Sequence, residues 1–173
     1  MREKVIKIPF DRHAFLESRK VAWSFFSKKH LKSFIIYTVL SISILTSGII
    51  FDIRDAFPVG IVVGSGMLVY LFFKWSEFFQ NRTKHLKKAE SHALHYEDEL
   101  MDFNYIFSDD SFEYFDKEMS IKFIWPLFKS FVIYKNNVML ILKDGRGSFT
   151  INKSQLAAEE YNELCDILDN KIV

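Results

Sequence analysis

Two long apolar runs dominate the pattern of hydrophobic and polar positions. Phe34–Phe51 reads FIIYTVLSISILTSGIIF, Phe57–Phe73 reads FPVGIVVGSGMLVYLFF, and the polar break between them is Asp52–Ala56, DIRDA. At ~1.5 Å per helical residue each run reaches roughly 26–27 Å, close to a hydrocarbon core of about 30 Å once flanking residues are added. Core helices of soluble proteins usually carry a polar stripe, and these runs offer only Ser, Thr and Gly for one. The pattern predicts a two-helix transmembrane hairpin with spans 34–51 and 57–73. Neither run contains Asp, Glu, Lys, Arg or His, so neither signals an ion path or a proton relay.

The flanking periodicities predict the rest of the fold. In Lys4–Phe10, Ile6, Ile8 and Phe10 share one parity, which reads as a short strand. A lone strand cannot satisfy its backbone groups, so it is expected to add to a sheet built elsewhere in the chain. Asp11 is a good N-cap for a helix over His13–Lys32, whose apolar residues (Phe15, Leu16, Val21, Trp23, Phe25, Phe26) are not confined to one side. That helix suits either the membrane surface or the C-terminal domain. Lys74–Tyr96 lacks Gly and Pro, which predicts that the second span continues as a helix beyond the membrane.

From Phe103 the period becomes alternating. Strands are predicted at Asn104–Phe107, Phe112–Phe115, Ser120–Ile124, Ser130–Tyr134, Val138–Leu142 and Ser148–Ile151, separated by Asp- and Asn-rich turns. Asn136-Asn137 suits a two-residue hairpin turn because Asn tolerates positive φ, and Asp144–Gly147 suits a longer one. Ala157, Tyr161, Leu164, Cys165, Leu168 and Ile172 recur at helical period, and Ser154 is placed to cap that helix. The predicted class is an α+β membrane protein. Residues 1–32 form a strand and a cytoplasmic or interfacial helix, 33–75 the hairpin, and 76–100 a helical extension. Residues 101–173 form a small antiparallel sheet or split barrel covered by the last helix.

Charge orients this layout. Net charge is +1, but residues 1–96 carry 15 Lys and Arg against 7 Asp and Glu, whereas residues 97–173 carry 8 against 15. The basic half suits anionic lipid headgroups, and the acidic half would repel nucleic-acid phosphates. Lys28, Lys29 and Lys32 precede the first span, Lys74 follows the second with Trp75 as an interfacial anchor, and the loop holds one positive charge, Arg54. The positive-inside bias then places both termini in the cytoplasm and loop 52–56 outside.

Small residues predict how the spans pack. Gly60 and Gly64 lie four apart on the second span, and Ser43 and Ser47 on the first. Such spacing lets helix backbones approach closely. Packing within the hairpin is favoured over a homodimer through Gly60 and Gly64, because the short loop already forces an antiparallel neighbour.

The candidate chemistry is sparse. His92 and His95 are three apart and could face one ion, but no Cys joins them and no metal site is expected. The single Cys165 excludes an intramolecular disulfide and falls on the apolar face of its helix. No nucleophile–base pair or paired carboxylate stands out. No catalytic residue, no cofactor and no enzymatic activity is therefore expected.

The order of elements, with the stretch Tyr105–Tyr114 (YIFSDDSFEY), Trp125 before Leu127–Ser130, then Val138–Leu142 and Ile151–Ser154, resembles the bacterial YcxB-like proteins. Asn152 departs from that pattern, in which a proline is common before the basic residue. The resemblance implies a pleckstrin-homology-like C-terminal domain and the bacterial inner membrane, and it brings no catalytic motif. A phosphoinositide site in such a domain needs Lys and Arg at its first hairpin. Here that turn is Ser108-Asp109-Asp110-Ser111, which would repel phosphates. The expected function is that of a membrane-anchored module binding a protein partner, with an immunity protein acting against a toxin, or an accessory subunit of a larger membrane complex, as alternatives.

Overall fold

The structure, a computed structural model, describes residues 3–51, 58–143 and 148–172. The expected outer loop 52–56 and the Asp144–Gly147 turn lie outside the described residues. The chain divides into a helical unit, residues 23–85, and a sheet unit made of residues 1–22 and 86–173.

Two 40-residue helices, α1 (Arg12–Phe51) and α2 (Val59–Asp98), run through both units. Asp11 caps α1 as expected, its Oδ1 accepting the Ala14 N–H at 2.9 Å. The helix expected over His13–Lys32 and the first span are one uninterrupted helix. Both helices are long and apolar enough to cross a bilayer, and only 11% of each apolar stretch is buried within the chain. A core helix of a soluble protein would be mostly buried there.

Within the helical unit α1 and α2 pack antiparallel along one seam. Trp23 lies against Phe78 and His85 (ring centroids 5.9 and 5.1 Å), and Phe34 against Trp75 and Phe78 (5.4 and 5.9 Å). Farther along, a Cβ added to Gly64 would fall 2.7 Å from the Leu45 backbone nitrogen, and one added to Gly48 2.5 Å from the Gly60 carbonyl carbon. Glycine is required where backbones approach this closely. The α1 side of the seam differs from the expected one. Ser43 and Ser47 are exposed, whereas Ser41 and Gly48 are buried. A shift of two residues turns a helix position by about 200°, so the Ser43/Ser47 stripe faces away from α2.

The sheet unit holds two antiparallel sheets. The first contains β1 (Lys4–Pro9), β2 (Asp102–Phe107), β3 (Ser111–Phe115) and β4 (Ser120–Ile124) in that order. The second contains β5 (Phe128–Tyr134), β6 (Asn137–Leu142) and β7 (Ser148–Asn152) in that order. The N-terminal strand finds its sheet: β1 pairs with β2, with Ile6 opposite Tyr105 and Ile8 opposite Phe103. The helices are therefore inserted between two neighbouring strands of one sheet. The core is aromatic-rich, and Ile6, Ile8, Phe107, Phe112, Trp125, Phe128, Val138 and Leu140 are buried together with helix α3 (Ala158–Lys171). On α3 the buried residues are Leu164, Ile167 and Leu168, while Cys165 is half-buried.

Two local expectations are corrected. The β5–β6 turn is Lys135-Asn136, with φ of 45° and 59°, and Asn137 begins the next strand opposite Tyr134. Two consecutive left-handed residues match the twist of a tight hairpin. A turn one residue later would reverse which face of β6 is buried. Ser154 lies in a short 3₁₀ turn capped by Asn152, whose Oδ1 accepts the Ser154 N–H at 3.0 Å. The α3 N-terminus lies farther on, where the Glu160 side chain accepts the Ala157 N–H at 3.1 Å.

Candidate functional site

The alternation in β2 and β3 builds one aromatic face. Register places Tyr105 opposite Tyr114 and Phe107 opposite Phe112, so these four, with Phe103, point to the same side. Phe107 and Phe112 are sealed in the core at 2% and 0% exposure. At the other end of the face Phe103, Tyr105 and Tyr114 line a cavity of about 240 Å³. Helix α1 contributes Phe15, Ser18 and Arg19 to its wall, α2 contributes Tyr96, and β7 contributes Phe149. All of these residues belong to the sheet unit.

The aromatic wall is continuous. Phe15 meets Tyr96 edge-on at 5.7 Å, Tyr96 meets Phe103 at 5.6 Å, and Tyr105 and Tyr114 are 5.5 Å apart. The polar groups within this wall differ in kind. The Tyr114 hydroxyl donates to Asp116 Oδ2 at 2.5 Å. The hydroxyls of Tyr96 and Tyr105, residues 8% and 7% exposed, have no hydrogen-bond partner among the described residues. Arg19 is exposed, its guanidinium 4.9 Å from the Phe15 ring centroid, and it has no acidic partner among the described residues. Burial pushes all three phenols above their ordinary value; for Tyr105 the nearby Arg19 works in the opposite direction and Asp116 adds to the rise. They are neutral O–H donors across the physiological range.

A second polar contact fixes the helix beside this wall. Ser18 Oγ donates to Asn137 Oδ1 at 2.7 Å, with both residues buried, and Asn137 Nδ2 donates to the Lys135 carbonyl at 2.7 Å. On the outer side Arg12 is paired with Glu90 and Glu97.

The residues singled out in the sequence fall elsewhere. Gly60 and Gly64 lie in the α1–α2 seam. Lys28, Lys29 and Lys32 are exposed on α1, and Lys74 pairs with Glu77 at 2.9 Å. Trp75 packs on Phe34 and stacks on Phe79 at 5.6 Å. His95 Nε2 is 2.6 Å from Glu118 Oε1, and the His92 ring lies 6.0 Å from that of Tyr96. Among the described residues no group of three or more His, Cys, Asp and Glu is placed to hold a metal ion. In the acidic turn, Asp109 accepts from Lys171 at 3.0 Å.

Sequence reasoning missed the cavity. Its one signal was the substitution of tyrosine for a wholly apolar residue at two inward positions of adjacent strands, Tyr105 and Tyr114. Arg19 carried no signal, because one arginine on a charged helix is ordinary. No protein-family model matches the chain, and no curated protein or solved structure matches it.

Proposed function

We propose that the chain is a non-enzymatic module of the bacterial inner membrane, with both termini and the sheet unit in the cytoplasm. The sheet unit, four strands and three strands covered by a C-terminal helix, is read as pleckstrin-homology-like. The observation that carries the reading is the pairing of β1 with β2 across the whole helical insertion. A domain interrupted by two apolar helices between neighbouring strands is held at a membrane by two covalent links, which leaves it little freedom to leave the surface.

The binding surface of this module is assigned to β4. It is the outer strand of its sheet, its far side has no strand neighbour among the described residues, and Ile124 is 53% exposed. A free strand edge recruits an extended peptide through main-chain hydrogen bonds, and the alternating side chains give selectivity. An anionic lipid headgroup is the poorer ligand, because the nearby turn carries Asp109 and Asp110.

Orientation is tested with a Cys165→Ser chain carrying either Ser47→Cys or Ser154→Cys. A membrane-impermeant thiol reagent added from outside should spare Ser154→Cys, and labelling it would overturn the topology. Binding is tested by placing a photocrosslinking amino acid at Lys122 or Ile124 in native membranes. Adducts at these positions, with none at the inward-facing Phe123, support the β4 edge. A toxin in the adduct would select the immunity reading, and a transporter or secretion component the accessory-subunit reading. No adduct at either position refutes the edge as a docking strand.

A further inference from the structure

We propose that the tyrosine-walled cavity binds a small aromatic monocarboxylate. The inference is independent of the membrane reading, because every residue it uses belongs to the sheet unit.

The polar groups converge on an anion. Tyr96 and Tyr105 are more than nine-tenths buried as residues, their hydroxyls lack partners among the described residues, and both line the same cavity. Neither phenol oxygen is among the polar atoms sealed from solvent, so both O–H groups open onto the cavity and are free to donate to an acceptor that enters it. Arg19 lines the cavity as well, and its electrostatic influence reaches both Tyr96 and Tyr105. A planar guanidinium beside two O–H donors suits a carboxylate, whose two oxygens accept several hydrogen bonds at once. The stacking contact with Phe15 restricts the guanidinium, so less freedom is lost when it closes on a ligand.

The charge balance selects a monoanion. Arg19 is the only cation lining the cavity among the described residues. Asp116 sits just behind Tyr114 and accepts a hydrogen bond from its hydroxyl, so that side of the cavity is already negative. A phosphate dianion would meet one positive group and one negative one. A carboxylate needs only the guanidinium.

The remaining wall selects the body of the ligand. Phe15, Phe103 and Phe149 offer faces and edges of aromatic rings, the surroundings a flat ring packs against best. The volume of about 240 Å³ equals roughly eight waters at about 30 Å³ each. It suits a benzoate or phenylacetate frame.

The test uses the full chain in nanodiscs, titrated by calorimetry with benzoate and phenylacetate, and in parallel with benzyl alcohol and inorganic phosphate. Binding of at least one carboxylate is expected with a Kd of about 0.1–1 mM. Arg19→Gln should weaken it about tenfold or more, and Tyr105→Phe about fivefold. Benzyl alcohol and phosphate should bind at least about tenfold more weakly than the carboxylate. Arg19 is exposed, so its replacement leaves the core intact, and Tyr96→Phe gives a second reading should Tyr105→Phe change the melting curve. The proposal is overturned if neither carboxylate binds at 10-fold above that range. It is equally overturned if Arg19→Gln binds as well as the parent, or if phosphate or benzyl alcohol matches the carboxylate.

Discussion

Replacing Ile8 by alanine tests whether the first strand is an integral part of the sheet. Ile8 is 2% exposed and lies opposite Phe103, although residues 10–101 separate the two strands. The change deletes three carbons, about 2.4 kcal/mol at ~0.8 per methylene. The cavity left in a packed aromatic core adds to this, so the full cost is about 2–5 kcal/mol. A unit of this size unfolds in urea with a slope of about 2 kcal/mol/M, so the midpoint should fall by about 1–2.5 M. Trp125, 6% exposed in the same core, reports the transition once Trp23 and Trp75 are replaced by phenylalanine. Val5→Ala on the outer face of the same strand, 53% exposed, should move the midpoint by no more than about 0.5 kcal/mol equivalent. Equal shifts for Ile8→Ala and Val5→Ala would refute the placement of β1.

Four other outcomes are expected. Gly64→Ala should lower the melting temperature of the full chain in nanodiscs, because the new Cβ meets Leu45 backbone at 2.7 and 2.8 Å; Gly66→Ala, with nothing within 4 Å, should not. Leu100, 81% exposed at the end of α2 with φ of 47°, holds a left-handed position that favours glycine; Leu100→Gly should raise stability by about 0.5–1 kcal/mol in urea unfolding. The hydrogen bond to Glu118 holds His95 above its ordinary value of 6.5, so this pair contributes fully below that value and is lost as pH rises through the raised one. NMR titration of His95 should show the raised value falling back in Glu118→Gln, and an unchanged titration would refute the pairing. Ser18→Ala leaves the buried Asn137 Oδ1 without its donor and should cost about 1–3 kcal/mol by the same urea assay, whereas a neutral result would show that the bond is not made.

The elements were legible wherever local periodicity matched burial. Ser120–Ile124 is found with both ends as expected, and the other strands of the sheet unit differ by at most two residues at an end. The N-terminal strand was legible as well, because Ile6 and Ile8 on one face need a partner that nothing nearby supplies. Features decided by tertiary register were not legible. Asn136 and Asn137 are equally good turn formers in isolation, and the choice between them rests on pairing Ile133 with Val138 and on the buried bond from Ser18 to Asn137. The Ser43/Ser47 stripe failed similarly: Ser41 and Gly48 offer a seam as small, and packing against Gly60 and Gly64 decides between them. The cavity was least legible of all. It requires Arg19 and Tyr96, 77 positions apart on different helices, to meet a tyrosine pair on the sheet.

The insertion also dictates an order of assembly. Closing β2 on β3 spans a three-residue turn, whereas closing β1 on β2 spans about 90 residues. Loop-closure entropy grows as about (3/2)RT ln n, so the second closure costs about 3 kcal/mol more than the first if the intervening chain is flexible. The excess vanishes when the intervening residues are already two paired helices whose ends lie side by side. Contacts at both ends of α1 and α2 supply that condition: Leu45 on Gly64 in the helical unit, Phe15 on Tyr96 in the sheet unit. Helix pairing should therefore precede β1 docking, which makes β1 the last strand to join and the first to leave. The same order bears on the cavity, since Phe15 and Arg19 follow β1 directly in the chain and Phe10 packs on both Phe15 and Phe103. Loss of β1 removes the support of the wall that holds the guanidinium. Ile8→Ala should therefore weaken carboxylate binding measured without urea, a coupling that a preformed cavity independent of β1 would not show.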